Sequence, residues 1–450
     1  MESRFDPDGR FFFPLRLQTL HQTEQRPSVF PIPAQILPVD GFGLGSSTGF
    51  QQHHPQRLPY RNVPVVGAFF VDEVVFQQDR CYQVANYNPL LILILRRQSR
   101  CRYNSTSGAT RHCSLTISIQ GGPDMKAIRI HQAGSFEQLK YEEIDTPVPD
   151  KDEVLVKVIS ASVNFADIMV RQGLYPMMPP LPAIPGVDCS GIVESVGENV
   201  SQFHPGQHVA ALGRGCYADY MATNAAAVFP ISEDTDMDEA AAIPVNYLTA
   251  YHMLHTMARL KEGQTILSYA AAGGVGTAVI QLAKRAGVTV IGLTSTDEKA
   301  DFARAQGYDQ IINYKVEDVV QRVKEITGGK GADIILNSVA GDTFGRDFGM
   351  LAPLGQIIWF GMAAGLPEEN LTELLGMGFI KSAGVRTFML PSIFDLDPTL
   401  MARSSEILFN DLADGKIKPH IFERIPLSEA ARAHELLESG TVQGKLILKP

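Results

Sequence analysis
The chain has 450 residues, a formal net charge of −10 and five cysteines. Hydrophobic residues make up 45% and charged residues 20%, which is enough for a large core and excludes wholesale disorder. The acidic balance disfavours nucleic acid or an anionic membrane surface as the main partner. The longest aliphatic run, residues 90–95, is far short of the ~20 residues a transmembrane helix needs. Few and scattered cysteines argue against a disulfide framework and for a reducing, cytoplasmic setting. Length alone sets a prior of two or three domains.

Two compositions share the chain. Residues 1–124 hold twelve arginines, no lysine and nine acids, whereas residues 125–450 hold fifteen lysines, twelve arginines and forty acids. The first segment is rich in Gln and Pro, and its apolar stretches show no sustained period. It is read as an atypical extension and not a folded catalytic domain. Two explanations stay open: an over-extended gene start, or a poorly ordered tail. Glu2, Asp6 and Asp8 make it a poor signal peptide.

From Met125 the pattern becomes regular. Strands are predicted at 154–162, 191–197, 208–212 and 217–222, separated by turn residues at short intervals, as in a small barrel. From about Asn246, strands and helices alternate. The strands are predicted at 265–270, 289–293, 310–312, 333–336, 356–360 and 383–388, with helices between them such as 277–286 and 298–306. Six short apolar strands with helical crossovers imply a doubly wound parallel α/β sheet. Helices at 400–413 and 428–439 and a strand at 445–448 complete the tail.

The segment Ala270-Ala271-Ala272-Gly273-Gly274-Val275-Gly276 follows the first of these strands and opens a helix. Small residues there let the backbone approach a pyrophosphate, and the helix N-terminus supplies free N–H groups and a positive dipole end. The second strand ends in Leu293-Thr294-Ser295-Thr296, without the acid that would hold a ribose 2′-hydroxyl. Lys299 follows one turn into the next helix. A hydroxyl and an ammonium suit a 2′-phosphate, so NADPH is favoured over NADH. Plain packing of a glycine-rich turn and a solvated Lys299 are the competing readings.

At this point the chain resembles the zinc-free quinone oxidoreductases of the medium-chain dehydrogenase/reductase superfamily. The resemblance rests on Val163-Asn164-Phe165-Ala166-Asp167, Arg171-Gln172-Gly173-Leu174-Tyr175 and Pro185-Gly186-Val187-Asp188-Cys189-Ser190-Gly191. It continues through Leu248-Thr249-Ala250-Tyr251, the 270–276 turn, Asn313-Tyr314, Asn337-Ser338-Val339, Phe360-Gly361 and Gly444-Lys445-Leu446-Ile447-Leu448. The likeness implies a Rossmann nucleotide-binding domain (246–388) inserted into a GroES-like β-barrel catalytic domain built from 125–245 and 389–450. It also implies a homodimer, with the edge strand 383–388 as a candidate contact. Zinc-dependent relatives carry ligands at positions that are Asn164, Val187 and Val245 here. Amide and alkyl groups do not replace thiolate and imidazole, so no metal site is expected.

The resemblance implies Asn164 and Tyr175 as catalytic residues, an amide donor and a pocket phenol, with turn-holding and wall roles as the alternatives. It implies cofactor contacts at Thr249, Gly273, Gly274, Val275, Ser295, Lys299, Tyr314, Asn337, Phe360 and Gly361. Lys445 is read as a basic group for the adenosine phosphate, because Gly440 stands where some relatives have arginine. Asp167 is read as structural, with Arg171 as its possible partner. The expected reaction is metal-free transfer from NADPH to a small-molecule quinone. Reduction of a conjugated alkene and a non-enzymatic NADPH-binding role are the alternatives. His252 and His255 are read as core or surface histidines, Cys189 as a buried thiol, and 328–331 as a tight turn.

Overall fold
A computed structural model describes residues 74–77, 80–83, 122–367 and 369–450. Strands β1 (Val74–Gln77) and β2 (Arg80–Gln83) pair antiparallel. The rest of the segment 1–121 lies outside the described residues, and with it the expectation that this part is an extension.

In the larger unit, β3 (Gly122–Arg129) pairs antiparallel with β4 (Lys140–Thr146). Strand β5 (Glu153–Ser162) leads into helix α1 (Phe165–Gln172). Then come β6 (Asp188–Val196), β7 (His208–Leu212), β8 (Tyr220–Asn224) and β9 (Val228–Pro230). On β5, Val154, Val156 and Val158 point into one core, with the two-residue alternation of a strand. Helix α1 interrupts the β-rich stretch, where the sequence pattern predicts none. It is only eight residues long, too short for its apolar period to stand out beside strands. The strand expected at 217–222 begins instead at Tyr220; Tyr217 is a loop residue whose side chain is buried in the barrel core.

Helices α2 (Met237–Ala241) and α3 (Ile243–Tyr251) carry the chain to the alternating α/β half. There β10 (Thr265–Ser268), α4 (Gly274–Ala283), β11 (Thr289–Thr294), α5 (Asp297–Gln306) and β12 (Gln310–Asn313) alternate. The alternation continues with α6 (Val319–Ile326), β13 (Ala332–Asn337), α7 (Phe344–Met350), β14 (Leu351–Trp359), α8 (Leu371–Phe379) and β15 (Gly384–Thr387). The six strands are all parallel in the order β12-β11-β10-β13-β14-β15. Neighbouring residues of one strand serve opposite cores: Ile266, Val290 and Leu336 pack on one face, Leu267, Ile291 and Ile335 on the other. Burial on both faces is why these strands read as unbroken apolar runs.

Helices α9 (Leu390–Leu396) and α10 (Pro398–Ala413) follow, then β16 (Ile421–Pro426), α11 (Ala430–Glu438) and β17 (Lys445–Lys449). Strand β17 pairs antiparallel with β5, so the last strand closes the sheet begun by the first third of the described chain. That sheet runs β16-β17-β5-β6-β7-β9, with β8 also on β5. The segment before β17 also touches the other half. Gly444 N donates to Ala272 O at 2.8 Å, and Gly273 and Gly444 form an isolated parallel bridge. The junction is set by backbone: a Cβ on Gly444 would lie 2.3 Å from His420 O, and its φ is +73°.

Candidate active site
The nucleotide turn ends β10 and opens α4. Gly273, at the N-cap, supplies no side-chain acceptor for the first turn. A Cβ on Gly276 would lie 2.5 Å from Ala271 O and 2.6 Å from Ala270 O, and one on Gly274 would lie 2.4 Å from Asn246 Nδ2. The turn therefore needs glycine at 276, and a side chain at 274 would have to displace Asn246. Val275 is half-buried beside them. Two buried hydroxyls near this region have no partner among the described residues: Thr277 in the first turn of α4, and Thr294 at the C-terminal end of β11. A glycine cradle, an open helix N-terminus and these two hydroxyls fit a phosphate-bearing dinucleotide.

The residues beyond β11 form the edge expected for the adenosine end. Thr296 caps α5 by accepting from Lys299 N at 3.2 Å. Ser295 is half-buried, and Tyr314 is exposed with its N–H donating to Thr294 O at 3.0 Å. The Lys299 side chain does not project freely into solvent. Its ammonium donates to Gly440 O, just beyond α11, and partial burial holds its pKa below the usual lysine range. Thr249 is buried on α3.

Asn337 is placed differently from a free cofactor ligand. Its Nδ2 donates to Asp347 Oδ2 at 2.6 Å and Thr343 Oγ1 at 3.1 Å, and its Oδ1 accepts from Val339 N and Ala340 N at 2.8 Å each. The amide is fully committed. It shapes the turn after β13, where Ala340 and Gly341 take φ of +56° and +53°. Phe360 and Gly361 meet that turn from the end of β14; a Cβ on Gly361 would lie 2.6 Å from Ser338 O. Burial pushes the Asp347 carboxyl up to about 7, although Tyr269 OH and Asn337 both donate to it.

The β-rich half contributes a buried polar cluster. Asn164, 6% exposed, follows β5 at the head of α1. Its Nδ2 donates to Asp188 Oδ1 at 2.7 Å, and its backbone N donates to Asp167 Oδ2 at 2.8 Å. Asp188 also accepts from Ser162 Oγ at 2.5 Å and Val245 N at 3.1 Å. Asp167 accepts from Gly186 N and Tyr217 OH, both at 3.2 Å. Burial raises both carboxyls, Asp167 to about 7. Tyr175 is half-buried against the barrel core, and desolvation raises its phenol.

Two expectations are corrected. Lys445 does not lie free for an adenosine phosphate. It is 4% exposed, and its Nζ donates to Asn164 Oδ1 at 2.5 Å. The cause is topological: β17 lies against β5, next to the chain that carries Asn164. Arg171 does not pair with Asp167; both its terminal nitrogens donate to Glu438 at 2.8 Å, joining α1 to α11. The readings of Asp167 as structural and of His252 as a core histidine agree with the geometry. His252 is buried between Thr256 and Ser404. Sequence reasoning misses the roles of Asp188 and Ser162. The usable signal is a carboxylate at the head of an apolar strand, which must find donors when buried.

Residues 150–233 match the family described as alcohol dehydrogenase GroES-like domain, and residues 274–396 the family described as zinc-binding dehydrogenase. The positions at which the resemblance implies zinc ligands in zinc-dependent relatives carry Asn164, Val187 and Val245 here. The chain is 34% identical over 331 residues to quinone oxidoreductase 1 of Escherichia coli K12, a match that spans 72% of this chain and 99% of the relative. It is 36% identical over 328 residues to a quinone oxidoreductase of Pseudomonas aeruginosa, again spanning 72% and 99%. The solved structure of the Escherichia coli quinone oxidoreductase complexed with NADPH matches with a TM-score of 0.69 at 34% identity, over 72% of this chain and all of that one. With the parallel nucleotide sheet set into a GroES-like barrel, these likenesses make the chain a member of the quinone oxidoreductase family of medium-chain dehydrogenases/reductases.

Proposed function
We propose that the chain is an NADPH-dependent, zinc-independent quinone oxidoreductase. The observation that carries this reading is the junction between halves. The glycine turn that fits a dinucleotide is bonded to Gly444, the residue just before the strand whose first residue holds the buried Asn164. When bound, the nicotinamide of NADPH supplies the hydride. The protein's part is to seat the acceptor, exclude water and stabilise the oxygen that gains charge as quinone becomes quinol.

Asn164 has one Nδ2–H left after bonding Asp188, and this is the donor assigned to that oxygen. Tyr175, kept protonated by its surroundings, orients the acceptor and holds a proton at its phenol oxygen. Gly273, Gly274 and Val275 seat the pyrophosphate. Ser295, Lys299 and Tyr314 take the 2′-phosphate end, while Thr249, Phe360 and Gly361 line the nicotinamide end. Asn337 acts through the turn it shapes.

The working form is read as a cytoplasmic homodimer joined at β15, the edge of the parallel sheet. Beside that edge, Phe379 and Ile380 are 85% and 92% exposed, and Leu375 and Met377 are also bare. Purified protein should oxidise NADPH faster than NADH in the presence of quinones, and chelators should leave the rate unchanged. Activity lost to a chelator and restored by zinc would overturn the metal-free reading.

A further inference from the structure
Lys445 occupies a position that neither cofactor binding nor simple packing explains. Its backbone belongs to the junction: Gly444 N is bonded to Ala272 O, and Lys445 N donates to His420 O at 2.9 Å. With Asn246, Gly274 and Thr277, Lys445 lines a small cavity beside the nucleotide turn. Its ammonium is buried and ends on Asn164 Oδ1, across 281 residues of sequence.

The two partners of Asn164 differ in kind. An ammonium only donates, and an ionised carboxylate only accepts. With Lys445 on Oδ1 and Asp188 on Nδ2, the amide has a single satisfied orientation. Turning it over would set NH2 against the ammonium and the carbonyl oxygen against the carboxylate, with both charges buried. One residue therefore fixes the amide, and the residue before it is bonded to the turn that seats the cofactor. We propose that Lys445 is a positioning residue, which locks the Asn164 amide so that its free N–H stays aligned with the acceptor oxygen while the dinucleotide is held.

The inference rests on the proposed role of Asn164, and the test separates the two. Lys445→Met leaves Asp188 as an unbalanced buried charge, so a second variant, Lys445→Met with Asp188→Asn, restores neutrality. In that double variant the amide oxygen introduced at position 188 can still accept from Asn164. Rates are measured with the acceptor the wild-type protein reduces, quinone or enone, so absence of quinone turnover counts against the proposed function alone. Melting temperature and the NADPH dissociation constant from fluorescence are read in parallel. The double variant should regain part of the melting temperature lost by Lys445→Met, the remainder being the Val245 N–H that loses its acceptor at position 188. It should keep a kcat reduced about tenfold or more, show a larger kinetic isotope effect with deuterated NADPH, and bind NADPH within about threefold of wild type. In an Asn164→Ala background, Lys445→Met should lower kcat no further. Recovery of kcat together with stability would make the lysine a mere counter-ion. Loss of NADPH affinity in step with kcat would make it a cofactor contact. Either result overturns the proposal.

Discussion
Asn164 Nδ2 lies 2.7 Å from Asp188 Oδ1, a bond between the turn after β5 and the first residue of β6. The hydrogen-bonding capacity of the Asn164 amide is divided between the protein and one remaining N–H. Replacing Asn164 by Ala should lower kcat by about 100-fold with little change in NADPH affinity, the loss expected when one donor to a developing oxyanion is removed. Steady-state kinetics with a binding titration will test this. Unchanged kcat would return Asn164 to a turn-holding role.

Lys299 is bonded to Gly440 O and lies one turn into the helix after β11. If it also meets the 2′-phosphate, Lys299→Ala should weaken NADPH about tenfold or more and NADH by less than about twofold. Equal effects on both would remove the phosphate contact and leave only the tie to Gly440.

Gly276 has no room for a side chain. Its neighbours are the carbonyl oxygens of Ala270 and Ala271, which belong to the turn itself and cannot move aside. Gly276→Ala should cost about 1–3 kcal/mol of stability and weaken both NADPH and NADH by similar factors. Chemical denaturation and fluorescence titration separate the two effects. A stable variant that still bound both nucleotides normally would contradict the cradle.

Asp347 links the nucleotide sheet to the turn after β13, and burial raises its pKa to about 7. The native state then binds a proton that the unfolded chain, with an aspartate pKa near ~4, has released. The stabilisation is full below about pH 4 and is lost as pH rises through about 7. Thermal melts of wild type and Asp347→Asn between about pH 5 and 8 should therefore diverge in slope. The variant should lack up to about 1.4 kcal/mol per pH unit of the wild-type decline. Asp167, also raised to about 7 by burial, adds the same sign in both proteins. Parallel curves would show that Asp347 stays ionised.

The parts of the fold that are legible in the sequence share a physical cause. Strands buried on both faces must be apolar throughout, so β10, β11 and β13 can be read from Thr265, Thr289 and Asp333 onward to within a residue or two at most boundaries. The nucleotide turn is legible in part because Gly276 meets backbone carbonyl oxygens that exclude a Cβ. The polar cluster is not. Lys445, Asp188 and Asn164 lie on separate elements of the chain, and a buried polar cluster follows no period. A basic residue near the C-terminus such as Lys445 fits a phosphate ligand equally well until β17 is seen beside β5. Nearness in sequence points Arg171 to Asp167, whereas its partner Glu438 arrives on a helix near the far end of the chain.

Anaerobic NADPH oxidation, with a quinone panel and an α,β-unsaturated carbonyl panel run side by side and the products identified, decides whether the chain is a quinone reductase. Quinones should be reduced to quinols as NADPH is consumed, with enones reduced slowly or not at all. Rapid reduction of enones with no turnover of any quinone would contradict this and assign the chain to alkene reduction.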